Sequence, residues 1–302
     1  MNGIIILPTY IKKYSKWAIL DLYYYIKDCY NFELRFADEI NIPSNTDVLL
    51  MFGVPYHNRP KIIPGFYDIS KNTKLIMFAG DVQCYDNNEC LKNKTEVFQR
   101  CDLIVSQSYE YFSKIFPQFL SKMFFLADCF STHEKYLKFP FNEKPKMKCL
   151  LSGSTGQLAY PLRYYILKNK IPQIEHKNSF FALGEEYPKL LNSYFCCVTC
   201  SSIFKYVLTK HLEIPAAGSL LLTNETSDLN RVGFIPYKHY IPITKNDVFQ
   251  KIKDCLNNPQ NYNKIRQEGM IFTRENHSIK NRLELFKEVF NKVMNKESSN
   301  NE

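Results

Sequence analysis

Short apolar runs alternate with longer amphipathic stretches along the whole chain. Gly3 to Leu7 is apolar and β-branched, Pro8 closes it, and apolar residues then recur at helical spacing from about Lys16 to Tyr30, which predicts strand, loop and helix. Phe32 to Phe36, Val48 to Phe52, Leu75 to Phe78 and Leu103 to Val105 are further short apolar runs bounded by polar or turn residues, each predicting a strand. Strands separated by helices predict parallel sheets and an α/β fold. Between Lys138 and Lys148 the segment FPFNEKPKMK loses periodicity and gathers Pro and Lys, as an exposed linker does. Beyond it the rhythm restarts: a strand at Cys149 to Ser152, the small-residue loop SGSTG, and a helix through Leu162 to Leu167. Ser219 to Thr223 predicts a buried strand. Val248, Phe249, Ile252, Cys255 and Leu256 predict a helix that Asn257, Asn258 and Pro259 stop. Leu283, Phe286, Val289, Phe290 and Val293 predict a last helix before the polar tail KESSNNE. The expected organisation is an N-terminal Rossmann-like domain over 1–143, a second over 144–280, a terminal helix over 281–296 and a disordered tail over 297–302.

Composition supports two cores. A chain of 302 residues is long for one, and the usual domain size gives two of about 150 residues each. The 45% hydrophobic and 23% charged content is that of an ordinary globular protein. The net charge of +9 points toward an anionic partner, but the lysines are scattered and the chain is rich in Asn, Ile, Tyr and Phe, so compositional bias competes with a basic cleft as its origin. The start, MNGIIILPTY, has no basic n-region or cleavage site, and no apolar run reaches the roughly 18 residues of a membrane span, so the expectation is a cytoplasmic protein with reduced thiols and no transmembrane segment. Cys196, Cys197 and Cys200 form a CCxxC cluster without a second ligand pair; free thiols lining a buried strand are expected there, and no metal.

Ligands of open α/β sheets bind outside the carboxyl ends of the strands, so loops after predicted strands hold the candidate chemistry. In Ser152 to Gly156, small residues including Gly153 and Ser154 let backbone N–H groups approach a phosphate at the next helix, although a plain turn has the same composition. A Walker A loop is excluded, because no Gly-Lys-Ser/Thr follows. In Ile203 to Thr223 a helix is expected to begin near Tyr206. The amides of Tyr206, Val207, Leu208 and Thr209 would face an anion, with Lys210 and Glu213 on one face. Lys210 suits a diphosphate and Glu213 the hydroxyls of a ribose; the competing reading is a surface ion pair on an amphipathic helix. Asp81, directly after a strand, is the acceptor-side candidate, as a base or an orienting group, against the alternative of a capping residue. His57 in MFGVPYHN is a weaker case of the same kind.

The ordered motifs K-x-x-E-I-P-A-A-G-x-L-L-L-T from Lys210 to Thr223, Gly233-Phe234, His239-Tyr240 and EGMIFTRENHSIKNR from Glu268 to Arg282 resemble the group 1 glycosyltransferases of the spore-maturation CgeB-like kind. LLSGS and the YPLR element at Tyr160 to Arg163 extend the resemblance upstream, so that it covers about residues 148 to 290. It implies a GT-B fold, two Rossmann-like domains facing across a cleft, and a hexosyltransferase-like enzyme of glycan biosynthesis. Such an enzyme moves a sugar from a nucleoside diphosphate sugar to an acceptor hydroxyl, with no cofactor or metal. It places Glu213 at the second position of the Glu-x7-Glu pattern of retaining enzymes and Lys205 at the first, a departure that leaves the sugar and the stereochemical outcome open. Lys210, Arg163 and the helix-terminal amides would stabilise the leaving diphosphate. The counterpart of His277 is structural. The acceptor is expected to be a glycan, protein or lipid, with nucleic acid ranked below them. A non-catalytic nucleotide- or glycan-binding protein, a nucleic-acid-modifying glycosyltransferase and a sugar-nucleotide epimerase are the alternatives.

Overall fold

The protein is described here by a computed structural model, which covers residues 1–8, 18–37, 42–53, 66–80, 88–129, 136–169, 171–177 and 186–295. The chain forms two compact units, Met1–Ala127 together with Arg282–Glu302, and Asp128–Asn281.

The first unit runs β1 (Gly3–Leu7), α1 (Ala18–Tyr30), β2 (Glu33–Phe36), β3 (Val48–Phe52), β4 (Lys74–Phe78), α2 (Asn88–Arg100), β5 (Leu103–Ser106), α3 (Tyr109–Ile115) and β6 (Met123–Phe125). Its six strands are parallel in the order β2-β1-β3-β4-β5-β6. β1, β3 and β5 are buried at every residue, which is why they read as unbroken apolar runs rather than alternating ones.

The second unit runs β7 (Lys146–Ser152), α4 (Pro161–Asn169), β8 (Ile174–Lys177), α5 (Glu186–Asn192), β9 (Tyr194–Val198), α6 (Thr209–Ala216), β10 (Leu220–Thr223), α7 (Ser227–Arg231), β11 (Ile241–Pro242), α8 (Val248–Asn257) and α9 (Asn263–Asn276). Its five parallel strands lie in the order β11-β10-β9-β7-β8. Cys196 and Cys197 are buried on β9 and Cys200 is buried just beyond it, all as free thiols. The last helix, α10 (Ile279–Asn295), gives its length from Arg282 onward to the first unit. There Phe286 meets Phe78 at 5.5 Å, Phe290 meets Tyr30 at 4.6 Å, and the Arg282 guanidinium donates to the Ala127 carbonyl at 2.8 Å. Among the described residues no helix is long and apolar enough to cross a membrane.

The division between units falls at Ala127, ahead of the boundary expected at residue 143, and β7 starts at Lys146 rather than Cys149. The reason is a set of donors of the second unit, the buried Arg266 and the half-buried Arg274 and Asn192, that bind the carbonyls of the intervening stretch. Arg274 donates to the carbonyls of Tyr136 and Phe139 at 2.7 and 2.8 Å, Asn192 to that of Pro140 at 3.1 Å, and Arg266 to that of Asn142 at 2.7 Å. FPFNEKPKMK has the composition of a linker, but its backbone is tied to the second unit. The tail at 297–302 lies outside the described residues.

Arg266 also donates to the Gly218 carbonyl at 2.7 Å and sits 4.2 Å from the Phe141 ring, 1% exposed. Burial lowers its pKa to about 10, so it stays charged at neutral pH. An ammonium lacks the planar fork that reaches both carbonyls. Arg266→Lys should therefore lower the stability of the second unit by about 2 to 4 kcal/mol, read as a fall in the urea midpoint at unchanged slope.

Candidate functional site

At the carboxyl end of β7 the chain turns through Gly153 with φ +104°, a conformation open to glycine and strained for other residues. Space demands glycine as well: a Cβ there would stand 2.5 Å from Lys210 Cε and 3.3 Å from an Arg163 terminal nitrogen. The loop after β7, the first turn of α6 and the first turn of α4 thus meet at one point, and two cations meet with them.

Lys210 lies across Gly153 and donates to the Tyr187 hydroxyl at 2.6 Å; that hydroxyl is also 3.2 Å from Ser152 Oγ. Burial lowers the Lys210 pKa, the Glu213 carboxylate counteracts this, and Arg163 adds to it. Burial likewise raises the Glu213 carboxyl, with Lys210 and a hydrogen bond from Tyr136 opposing the rise. Lys210 and Glu213, which sequence spacing places on one face, are both half-buried and lie beside the buried Tyr136 and Tyr187. Burial holds both phenols well above their ordinary range, so they act as neutral hydrogen-bonding groups.

Arg163 is 2% exposed. It donates to Thr199 Oγ1 and the Cys200 carbonyl, both at 2.8 Å, and to the Ser154 carbonyl at 3.1 Å, with its guanidinium 4.2 Å from the Tyr160 ring. It fixes the loop after β7 to the loop after β9 while bringing to the same point a charge with no carboxylate partner among the described residues. Ser154 is exposed. After SGSTG a turn closed by the Tyr160 N–H on the Gly156 carbonyl leads into α4, which starts at Pro161 and contains the helix expected over Leu162 to Leu167.

The start of α6 is corrected, from near Tyr206 to Thr209. The His211 ring sets it. Its Nδ1 accepts the Leu208 N–H at 2.9 Å and its Nε2 lies 2.9 Å from Thr223 Oγ1. The amide of Leu208 is therefore engaged, and Tyr206 and Val207 are buried ahead of the helix. Thr209 and Lys210 open the first turn. Lys205 precedes them, exposed, in a left-handed turn at φ +58°.

Sequence reasoning missed Tyr136, Tyr187, Thr199 and His211. His211 carried a signal, a side chain three residues into a helix able to bond back to the residue before it. The tyrosines carried none, because their approach depends on strands and helices far apart in sequence. The motifs at Phe234, His239 and His277 join Phe272 in one aromatic cluster, with His239 stacked on Phe272 at 4.1 Å and His277 on Phe234 at 5.4 Å. In the first unit Gly53 and Gly80 approach closely at the carboxyl ends of β3 and β4, whereas Asp81 and His57 lie outside the described residues.

Two units of parallel sheet with helical crossovers are the architecture of GT-B glycosyltransferases. A family model described as glycosyl transferase-like matches residues 137–288, half of the chain, and the chain belongs to that family. Among solved structures, Anabaena Alr3699/HepE in complex with UDP-glucose is similar at TM-score 0.61 and 10% identity, covering 97% of this chain and 100% of that one. A glycosyltransferase from Rickettsia africae ESF-5 is similar at 0.59 and 11%, covering 98% and 99%. TarM is similar at 0.58 and 13% over 81% of this chain, which spans about half of its length, 54%. No curated protein sequence matches the chain.

The His211 ring gives the site a pH dependence. Burial is the main cause that pushes its pKa down to about 3, against 6.5 in an unfolded chain. Between those values the unfolded chain binds a proton that the folded one does not. Stability is therefore complete above pH 6.5 and falls by about 1.4 kcal/mol per unit as pH drops through the window toward 3. Asn in place of His211 keeps an acceptor for the Leu208 amide and cannot titrate. Denaturation midpoints of His211→Asn should lie on a flatter pH profile than those of the parent between pH 6 and 4.

Proposed function

We propose that the chain is a retaining, metal-independent hexosyltransferase that uses a nucleoside diphosphate sugar and passes the sugar to an acceptor hydroxyl. The observation that carries this reading is the convergence of the Lys210 ammonium and the Arg163 guanidinium on Gly153, beside Glu213, at the carboxyl end of β7. Two cations, Arg163 buried and Lys210 half-buried, against one carboxylate favour an anionic group at that point. A diphosphate beside Lys210 and the first turn of α6 receives both a cation and the positive end of a helix dipole. Glu213 takes the ribose hydroxyls, Gly153 and Ser154 supply the loop that approaches the phosphates, and the stretch from Tyr206 to Thr209 leads the helix start up to them. Uridine is the base favoured, by likeness to the structure in complex with UDP-glucose.

As the glycosidic bond breaks, negative charge grows on the leaving diphosphate. A cation held there stabilises the transition state more than the bound donor. Lys210 and Arg163 provide the positive charge that a metal ion would otherwise bring, which supports a metal-independent reaction. The retaining assignment rests on Glu213 at the second glutamate position. Asp81 keeps the acceptor-side role. Lys205 at the first glutamate position, exposed and in a left-handed turn, favours as a second reading a nucleotide-binding protein without turnover.

Hydrolysis and transfer measured over a panel of nucleotide sugars separate the two readings: turnover of any donor supports the enzyme, and binding of all without turnover of any supports the second. Glu213→Ala should weaken UDP binding by about 1 to 3 kcal/mol in a calorimetric titration, the scale of lost charge-assisted bonds. Lys210→Gln should lower kcat about a hundredfold while changing donor affinity less. An unchanged kcat would make Lys210 a structural partner of Tyr187 and Glu213.

A further inference from the structure

The second unit contains a cavity of about 930 Å³ on the other side of the loop after β9. Lys210, Glu213 and Arg163 do not line it. Its walls come from α4, the residues following β9, β10 and β11, and the first part of α8.

Three features of this cavity point to a ligand. The first is charge: Lys168, Lys205, Lys245 and Lys251 line it against the single carboxylate of Glu225. Lys251 is paired with Asp247 at 2.8 Å, whereas Lys168, Lys205 and Lys245 have no carboxylate partner among the described residues. The second is the pairing of lysines with aromatic faces. Lys168 lies 5.4 Å from the Tyr164 ring, Lys245 5.0 Å from Tyr165 and Lys251 5.9 Å from Tyr237, so each tyrosine of the wall carries a cation. The third is backbone strain. Among the described residues of the second unit, the non-glycine residues with positive φ are Lys205, at +58°, and Tyr237, at +60°, and both line this cavity. A left-handed conformation costs a lysine or tyrosine roughly 1 to 2 kcal/mol, and Tyr237 is 61% exposed, so the strain is not repaid by burying its ring.

We propose that this cavity is a binding site for an anionic saccharide, a pyranose carrying a carboxylate or phosphate group. The C–H face of a pyranose packs on an aromatic face, its hydroxyls suit the Ser202 and Thr244 hydroxyls, and its anionic group suits Lys205 and Lys245. A mixed polar and aromatic lining of this size fits a sugar better than an inorganic ion, which needs less space, and better than an apolar ligand, which four lysines repel. The site stands on its own geometry and does not depend on the transfer reaction.

The test is a calorimetric titration of the full chain carrying Lys210→Gln and Glu213→Ala, so that the proposed donor site is weakened. The probes are glucose 6-phosphate, glucuronate, glucose and inorganic phosphate. Both anionic sugars should bind at least tenfold more tightly than glucose, and glucose 6-phosphate at least tenfold more tightly than phosphate. Adding Lys205→Gln with Lys245→Gln should remove the preference for anionic sugars. Tyr237→Gly, which relieves the left-handed strain and should not lower the melting temperature, should weaken both anionic sugars about tenfold and leave phosphate unaffected. The proposal is overturned if neither anionic sugar binds, if glucose or phosphate binds equally well, if binding disappears with the donor-site substitutions alone, or if the cavity substitutions have no effect.

Discussion

Lys210 can lie where it does because residue 153 has no side chain. Its alkyl stem occupies the space a Cβ would fill, and the same gap admits the end of Arg163. Much else in the second unit follows from that contact. β7 must end at Ser152 for Gly153 to turn under α6, and α6 must start at Thr209 for Lys210 to fall in its first turn. Tyr187 must come from α5 to receive the ammonium. Arg163, buried, and Lys210, half-buried, both reach Gly153 and repel each other, and the Arg163 charge adds to the lowering of the Lys210 pKa. An anionic ligand at this point, as proposed above, would balance the two positive charges, so the proposed chemistry rests on the same contact that organises the fold.

The long apolar runs were legible in the sequence because strands buried on both faces leave a continuous signature, as at Val48–Phe52 and Leu220–Thr223. Lys210 and Glu213 were legible because helical spacing and the surrounding motif agree. What escaped reading was set by contacts between distant residues. The start of α6 depends on His211 reaching Thr223, a strand away. The division between units depends on Arg266 and Arg274, more than a hundred residues beyond the carbonyls they hold. The tyrosines that close the site arrive from α5 and from the stretch before β7, neither of which carries a local pattern that announces the role.

Arg163 illustrates how one residue can answer to two descriptions. From sequence it is a cation in a motif after a phosphate-type loop. In the fold each of its hydrogen bonds runs to the protein itself, joining the loops after β7 and β9. Its hydrogen bonds hold the loop, and under the proposed function its charge adds to the field at Gly153, so that a lysine in its place would keep the charge and lose much of the bonding.

The return of α10 to the first unit makes the second an insertion within the first rather than its successor. During synthesis the strands of the first sheet emerge early, but Tyr30 and Phe78 also pack on Phe290 and Phe286 of α10, which is made after the whole of the second unit. The second unit is complete in sequence before that helix has left the ribosome. Vectorial folding therefore runs in an order the chain numbering hides: the inserted unit can close first, and the unit holding β1 to β6 closes after it, with Tyr30 and Phe78 lacking their α10 partners throughout the interval.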